Sequence, residues 1–233
     1  MTYLNSNQLK QYEDEGFVSP INIFSKEKAK EIRNEIELIE KIIPEELEKS
    51  GRYNAHLISP LLDEVTHNSK ILDAVESLIG KNILVCGTTL FIKNPYEKGF
   101  VSYHQDAKYI GLEPYNWVTA WVAITDSNEK NGCMRMWSGS HKDNLKEHDQ
   151  KFNEGNLLTR GQTVKNVPKQ KTTPLILEAG QMSLHHPTVV HGSDLNKSDD
   201  RRIGFVIQSY IGTNVKQVLG KNSVQLARGV DEF

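Results

Sequence analysis

The sequence is poor in the features that mark exported, membrane-spanning and nucleic-acid-binding chains. It has only 2 cysteines, Cys86 and Cys133, in separate apolar segments, which predicts free thiols in a reducing compartment rather than a disulfide framework. It has no excess of one charge: 28 Lys and Arg stand against 30 Asp and Glu, without a basic run. We therefore expect neither nucleic acid nor an anionic membrane as a partner. An apolar run of about 18 residues and a signal-like start are also missing, so we expect a cytoplasmic protein.

What is present is the composition of an ordinary folded domain. Hydrophobic residues make up 37% of the 233 residues and charged residues 25%, unlike disordered or fibrous chains. A chain of this length can bury one sizeable core but is short for two. We therefore expect a single domain over residues 1–233.

Helical periodicity dominates the first third of the chain. Apolar residues recur every three or four positions behind capping residues and end at a glycine or proline: after Ser6 as far as Gly16, after Ser25 as far as Pro44, and after Ser69 as far as Gly80. Residues 1–80 are thus predicted to form amphipathic helices that cover another layer.

From residue 82 the hydrophobic pattern becomes that of β-strands. Short runs rich in β-branched residues, separated by Gly, Asp, Asn and Ser, predict strands at 82–93, 118–124, 175–177, 181–186, 188–191 and 203–211. Helices followed by many short strands predict an α+β protein with a mainly β core, a sandwich or barrel with helices against one outer face.

This pattern divides the chain into a helical buttress (1–80), a β core (82–212) and a tail without a motif (213–233). Inside the core, residues 143–173 are polar and poor in strands. They are too many for an ordinary loop, so we expect a functional lid or a mobile insertion.

His104 and Asp106 are the first candidate metal ligands. Their spacing of two places both side chains on one face of an extended segment, although a lone His-x-Asp is also common as a structural hydrogen-bonded pair. A third candidate, His191, follows an apolar run far along the chain. Two imidazoles and one carboxylate form the facial triad of non-haem Fe(II) sites. Zinc can use the same donors, but the His-Glu-x-x-His helix of zinc hydrolases is missing.

Arg201 and Arg202 follow His191 across a segment rich in turn residues. If the chain turns back there, an arginine lies on a neighbouring strand, where its guanidinium can bind a carboxylate through two hydrogen bonds. The alternative is that both arginines lie at the surface and balance the charges of Asp199 and Asp200. Strand parity places Arg201 on the face of apolar residues that could pack beneath the helices, and Arg202 on the other face.

These residues, in their order and spacing, resemble the Fe(II)- and 2-oxoglutarate-dependent oxygenases of the phytanoyl-CoA dioxygenase family. The resemblance rests on the opening 9–17, Tyr-His-Gln-Asp-Ala-Lys-Tyr at 103–109, Thr-Ala-Trp-Val-Ala-Ile at 119–124, Asn-Gly-Cys-Met at 131–134, Ser-Gly-Ser-His at 138–141, Gly-Gln-Met-Ser-Leu-His-His at 180–186, and His-Gly-Ser at 191–193 with Arg202. It spans nearly the whole chain.

The resemblance implies a double-stranded β-helix, the cupin-like jelly roll, with the N-terminal helices buttressing its larger sheet. It implies that His104, Asp106 and His191 hold Fe(II), and that 2-oxoglutarate and O2 are co-substrates. Arg202 would bind the distal carboxylate of 2-oxoglutarate, with Ser193 beside it. Gln105 and Trp121 resemble residues that line the co-substrate, and the pair His185–His186 is expected near the metal as a hydrogen-bonding rather than a ligating group.

The resemblance also implies a reaction. Family members that halogenate have a small residue at the position of Asp106, so the carboxylate here favours hydroxylation of a C–H bond with release of succinate and CO2. The candidates to line the substrate, for each of which a structural role is the alternative, are Thr89, Phe91 and Lys93 on one strand face, Tyr109, Gln208 and Tyr210, and Arg160 with Gln162 in the insertion. No large basic pocket for CoA phosphates is evident, which favours a small polar metabolite as the partner.

Two other functions fit parts of the pattern. One is a metal-binding jelly-roll module without turnover, such as a sensor or a degenerate family member. The other is a barrel-type isomerase or zinc enzyme. The intact triad with Arg202 argues against a degenerate family member. A zinc enzyme would not need an arginine after His191 that binds a carboxylate. The sequence does not indicate an oligomeric state.

Overall fold

The computed structural model describes residues 3–44, 52–149, 154–158 and 163–232. Within them the helices are α1 (Ser6–Glu15), α2 (Lys26–Ile42), α3 (Pro60–Thr66), α4 (Ser69–Ile79) and the short α5 (Ala107–Ile110). The strands are β1 (Phe17–Asn22), β2 (Ile83–Val85), β3 (Thr88–Lys93), β4 (Val101–His104), β5 (Leu112–Glu113), β6 (Trp117–Ala123), β7 (Met134–Trp137), β8 (His148–Asp149), β9 (Thr163–Val164), β10 (Thr172–Pro174), β11 (Gln181–His185), β12 (His191–Ser193), β13 (Arg202–Gly212), β14 (Lys216–Gln217) and β15 (Gln225–Arg228). No helix in the described ranges is both long and apolar enough to cross a membrane.

The three predicted N-terminal helices are present, but two of them are capped one residue earlier than predicted. Asn5, not Ser6, caps α1 in a reciprocal capping box: its side chain accepts from the Gln8 amide, and its own amide donates to the Gln8 side chain. Asn68, not Ser69, caps α4. Asparagine and serine are equally good N-caps, so a sequence with both in a row leaves the choice open.

The larger sheet has the strand order β1-β11-β6-β13-β2-β15, with β3 also paired to β13. Its ladders are antiparallel. One face packs against the helices in a single apolar cluster that includes Ile32 and Ile36 of α2, Val75 of α4, and Val122 and Phe205 of the sheet. The expected α+β class, with helices against a mainly β core, is confirmed.

The smaller sheet has the order β10-β7-β12-β4 and faces the other side of the larger one. A second apolar cluster joins Trp121 and Val206 of the larger sheet to Met134 and Met136 of the smaller. Two antiparallel sheets therefore enclose an interior, and a cavity of about 670 Å³ opens from it.

Segments outside the predicted β core also contribute strands. β1, inside the region predicted to be helical, pairs with β11. In the tail, β14 pairs with β5, and β15 extends the larger sheet along β2. Their short runs carry little of the alternation that predicts a strand, because β14 is exposed and β15 is largely half-buried at a sheet edge.

The central strand β13 contains an irregularity between Ile207 and Tyr210 in its pairing with β6. A bulge reverses the side of the sheet to which later residues point. Gln208 lines the cavity, whereas Tyr210 is fully buried on the helical side, where its hydroxyl donates to the Thr66 carbonyl. The expectation that both line the substrate is therefore wrong for Tyr210.

Candidate active site

The two sheets bring the three predicted metal ligands together. His104 ends β4 and His191 begins β12, and the two are directly opposite each other in the smaller sheet. Their ring centroids are 4.2 Å apart. Asp106 follows at the first turn of α5. One donor atom from each residue lies within 4.8 Å of the others, so the pairing of β4 with β12 builds the cluster.

Backbone carbonyls orient both imidazoles in the same way. His104 Nδ1 lies 2.8 Å from the Ser102 carbonyl and His191 Nδ1 lies 3.1 Å from the Val189 carbonyl. A carbonyl can only accept, so each Nδ1 donates, and in the neutral ring this leaves the lone pair on Nε2. Both Nε2 atoms face Asp106 Oδ1, at 3.3 and 3.7 Å. Ligands at right angles around a metal at ~2.1 Å are ~3 Å apart, so this donor set fits a mononuclear metal ion.

The second oxygen of Asp106 is held by residues of the larger sheet. Asp106 Oδ2 lies 2.8 Å from the Thr119 hydroxyl and 3.2 Å from His185 Nε2. Thr119 and His185 are cross-strand partners of β6 and β11. Such outer partners fix the orientation of a ligating carboxylate. His185 meets the expectation of a hydrogen-bonding histidine near the metal, whereas His186 packs near Tyr12 and His141 instead.

The protonation states also suit a metal. Burial alone would raise the pKa of Asp106, but His191, His104 and His185 outweigh it and hold that pKa well below its usual value. Burial, followed by the neighbouring His104, holds the pKa of His191 well below its usual value. The site thus presents an ionised carboxylate and a neutral imidazole, the forms that ligate metals.

We expect Thr119→Val to weaken Fe(II) binding by about 10- to 100-fold, the usual cost of losing an outer partner of a ligand. Valine keeps the shape of threonine but removes the hydroxyl that reaches Asp106. Fe(II) affinity measured anaerobically by calorimetry tests this, with Thr173→Val on the exposed side of β10 as the control. Equal affinity in both variants would contradict the assigned role of Thr119.

Arg202 lies in the cavity with part of its guanidinium unsatisfied. The residue is 1% exposed, its Nη1 donates to the Gly132 carbonyl at 3.0 Å, and its Nε has no hydrogen-bond partner. Burial lowers the pKa of Arg202 to about 10, so the side chain stays charged at neutral pH. Within the described residues it forms no ion pair with a carboxylate. A buried cation without a counter-charge is costly, so the geometry fits an anionic ligand.

Trp121 forms the wall beside Arg202. The guanidinium carbon lies 5.3 Å from the Trp121 ring centroid, a cation–π distance. Gly204 makes this possible, because a side chain at that position would collide with the indole. Ser193 lines the cavity as well. The structure therefore brings Arg202, Ser193 and Trp121 together, as the sequence analysis expected of co-substrate residues.

Arg201 occupies the other face of the strand. Its guanidinium donates to both carboxylate oxygens of Glu40 on α2, at 2.6 and 2.8 Å, and reaches Glu37 at 3.5 Å. It therefore ties β13 to the helical layer. The two arginines thus point to opposite faces, as the alternation of side chains along a strand predicted.

Gln105 does not reach the cavity, contrary to expectation. Its side chain donates to the Thr188 carbonyl at 2.6 Å and accepts from the Lys146 amide at 2.7 Å. The reason is the alternation of an extended chain: because His104 and Asp106 point inward, the residue between them points outward. Gln105 instead ties the ligand segment to the start of the insertion.

The described part of the insertion is attached next to the ligands. His148 Nδ1 donates a hydrogen bond to the Lys146 carbonyl, and His148 Nε2 accepts one from the Gln105 backbone amide at 3.1 Å. Asn156 binds Ser102 through its side chain, and Leu158 lines the cavity. The lid or mobile insertion expected at residues 143–173 stays a prediction.

The expected substrate residues divide into three groups. Phe91, Tyr109 and Gln208 line the cavity. Thr89 and Lys93 are buried on the same strand but are not among the lining residues. Lys93 lies behind Ser193, with its ammonium nitrogen 2.7 Å from Ser193 Oγ. Arg160 and Gln162 fall outside the described residues.

Sequence reasoning missed several wall residues. Asn54 and Cys86, and Leu219 and Asn222 from the tail, line the cavity. The Gln217 side chain donates to the carbonyls of Ile110 and Gly111 at the end of α5, and the Val218 amide donates to the Gly111 carbonyl. No local pattern marks Leu219 and Asn222, because the tail is brought to the cavity by the pairing of β14 and β15 with distant strands.

Two facing antiparallel sheets that hold a two-histidine, one-carboxylate set beside a buried arginine define a metal site of the type used by non-haem oxygenases. The comparison with protein families agrees. The chain belongs to the phytanoyl-CoA dioxygenase (PhyH) family, whose model matches residues 12–204.

Individual proteins give the same result. The phytanoyl-CoA dioxygenase domain-containing protein 1 homolog of Caenorhabditis briggsae is 29% identical over 168 residues, 69% of this chain and 58% of that protein. The chain thus spans about three fifths of that relative. The apo structure of ThoJ, a non-heme monooxygenase, has a TM-score of 0.85 at 31% identity, over 95% of this chain and 84% of that one. CytC3 with Fe(II) and alpha-ketoglutarate has a TM-score of 0.73 at 23% identity, over 99% and 90% of the two chains, and shares the fold.

Proposed function

We propose that the protein is a non-haem Fe(II)- and 2-oxoglutarate-dependent dioxygenase that hydroxylates a C–H bond of a small polar metabolite, with release of succinate and CO2. The observation that carries this proposal is one cavity that contains both a facial triad and, on its wall, a buried arginine without a counter-charge. The triad accounts for a metal, and the arginine accounts for a carboxylate co-substrate.

In this proposal His104, Asp106 and His191 hold Fe(II), which supplies the oxygen chemistry when bound. Arg202 binds the distal carboxylate of 2-oxoglutarate, Ser193 donates to the same group, and Trp121 closes the side of the pocket. Thr119 and His185 keep Asp106 oriented. Because Asp106 occupies a coordination position, the product carries oxygen rather than chlorine.

The rest of the described cavity wall supports an uncharged polar substrate. Apart from Asp106 and Arg202, none of its described lining residues is Asp, Glu, Lys or Arg. Its polar groups include the carboxamides of Asn54, Gln208 and Asn222, and that of Gln208 has no hydrogen-bond partner among the described residues. A volume of about 670 Å³ lies within the range of small-molecule sites.

Further parts of the proposal concern the chain as a whole. We propose that the two antiparallel sheets form a double-stranded β-helix and that residues 1–233 form one cytoplasmic domain. The two facing sheets support the β-helix, and the free thiols of Cys86 and Cys133 support a reducing compartment. The balanced charge suggests neither a nucleic acid nor an anionic membrane as a partner.

Anaerobic addition of Fe(II) and 2-oxoglutarate to the metal-free protein tests the function. We expect the weak visible charge-transfer band of an iron-bound 2-oxoacid, and then succinate release in air that is stimulated by a neutral amide more than by the matching carboxylate or amine. If the band never forms, the protein is a non-catalytic metal-binding module. If the charged compounds stimulate best, the substrate part of the proposal is wrong.

A further inference from the structure

Lys93 is a second buried cation behind the wall of the cavity. It is 0% exposed and stands directly opposite Arg202 in the pairing of β3 with β13. Its ammonium nitrogen lies 2.7 Å from Ser193 Oγ, 3.4 Å from the Gly132 carbonyl, and in short contact with the Asp194 carbonyl. Among the described residues no carboxylate pairs with it. Three acceptors match the three donors of an ammonium group.

The two buried cations share one acceptor. The Gly132 carbonyl accepts from Lys93 Nζ and from Arg202 Nη1. Gly132 has a φ of 74°, and a side chain there would collide with the Asp194 carbonyl. The turn that holds Gly132 thus sets the positions of both cations together.

Ser193 connects Lys93 to the cavity. The Ser193 hydroxyl has a single proton and two lone pairs. An ammonium can only donate, so when Lys93 is charged Ser193 Oγ accepts from it. The hydroxyl proton is then left for another acceptor, and Ser193 lines the cavity wall next to Arg202.

We propose that Lys93 is a positioning residue of the co-substrate anchor: by donating to Ser193 Oγ it directs the Ser193 hydroxyl proton to the carboxylate that Arg202 binds. This inference rests on the proposed function, because the carboxylate is that of 2-oxoglutarate. Lys93 acts through Ser193 and does not touch the co-substrate. Lys93, which the sequence analysis expected to contact the substrate, therefore belongs to the co-substrate anchor instead.

The charge of Lys93 is expected to respond to the co-substrate. Burial, followed by the neighbouring Arg202, lowers the pKa of Lys93 to about 6, while Asp194, Cys133 and Glu97 act in the opposite direction. A carboxylate nearby raises the pKa of an amine. Binding of 2-oxoglutarate at neutral pH therefore takes up a proton, and its affinity falls as the pH rises above about 6.

The test is an anaerobic titration of the Fe(II)-loaded protein with 2-oxoglutarate, followed by the charge-transfer band. We expect Lys93→Met to raise the Kd by about tenfold or more, the usual effect of a lost charge-assisted hydrogen bond. Ser193→Ala raises it similarly, and the double variant is no worse than Ser193→Ala alone. Lys98→Met, which removes an exposed charge five residues along the chain, leaves the Kd unchanged.

The double variant and the pH dependence separate positioning from a structural role. A structural lysine predicts that the two effects multiply, and that the weakening of affinity between about pH 6.5 and 8.5 persists in Lys93→Met. Either result overturns the inference, as does a wild-type Kd in Lys93→Met. If Lys93→Met does not fold, Ser193→Ala tests the same contact. We expect the Kd of that variant for 2-oxoglutarate to lose its pH dependence, and a retained pH dependence would overturn the inference. A wild-type protein that gives no band at all refutes the proposed function instead.

Discussion

Asp106→Ala is expected to lower Fe(II) affinity and 2-oxoglutarate turnover by more than about 100-fold. The loss of an outer partner of a ligand costs up to about that factor, and Asp106 is itself the carboxylate that both histidines face. Alanine leaves only the two imidazoles, which provide no negative charge to the metal. Both Fe(II) binding and the charge-transfer band should be lost.

A second readout separates this loss from misfolding. Fe(II) binds the folded protein, so saturating Fe(II) should raise the melting temperature of the wild type. The same addition should leave Asp106→Ala unchanged, while its metal-free melting temperature stays near that of the metal-free wild type. Asp14→Ala, at an exposed carboxylate on α1, should retain the Fe(II)-induced shift. A normal shift in Asp106→Ala would remove the residue from the metal site.

Arg202→Met is expected to raise the Kd for 2-oxoglutarate by roughly 100-fold while Fe(II) binding remains. Loss of one partner from a buried charged pair costs about 3 kcal/mol, which is roughly 100-fold in Kd. Without ligand, however, Arg202 is a buried cation with no carboxylate partner. Replacing it with an apolar side chain of similar length should leave the free energy of unfolding unchanged or increase it.

Arg201→Met is the matched control for this prediction. It removes the same charge one residue away, but Arg201 binds Glu40 on α2 and does not face the cavity. This variant should bind 2-oxoglutarate normally and lose at most about 1 kcal/mol of stability, since the pair is partly exposed. A larger effect on 2-oxoglutarate in Arg201→Met than in Arg202→Met would reverse the assignment of the two arginines.

Local patterns predicted the parts of the fold and site that depend on a few neighbouring residues. The spacing of two between His104 and Asp106 places both on one face of the chain, and alternation along a strand separates Arg202 from Arg201. The same alternation explains why Gln105 points away from the cavity. These results follow from periods of 2 and 3.6 residues, which the backbone imposes locally.

The remaining parts depend on which segments pair. Tyr210 turned to the helical side because of an irregularity in β13 that no residue type announces. The tail reaches the cavity through β14 and β15, and its residues 219–222 carry no motif of their own.

The sequence by itself determined the three N-terminal helices, the strands near 118–124, 181–186 and 203–211, the candidate ligands and the arginine that the family resemblance selects. Only the tertiary structure decided that Thr119 and His185 hold Asp106, that the tail forms a wall, and that Lys93 lies behind Ser193. The physical reason is that side-chain direction is local, whereas contact between distant residues is set by strand pairing and register.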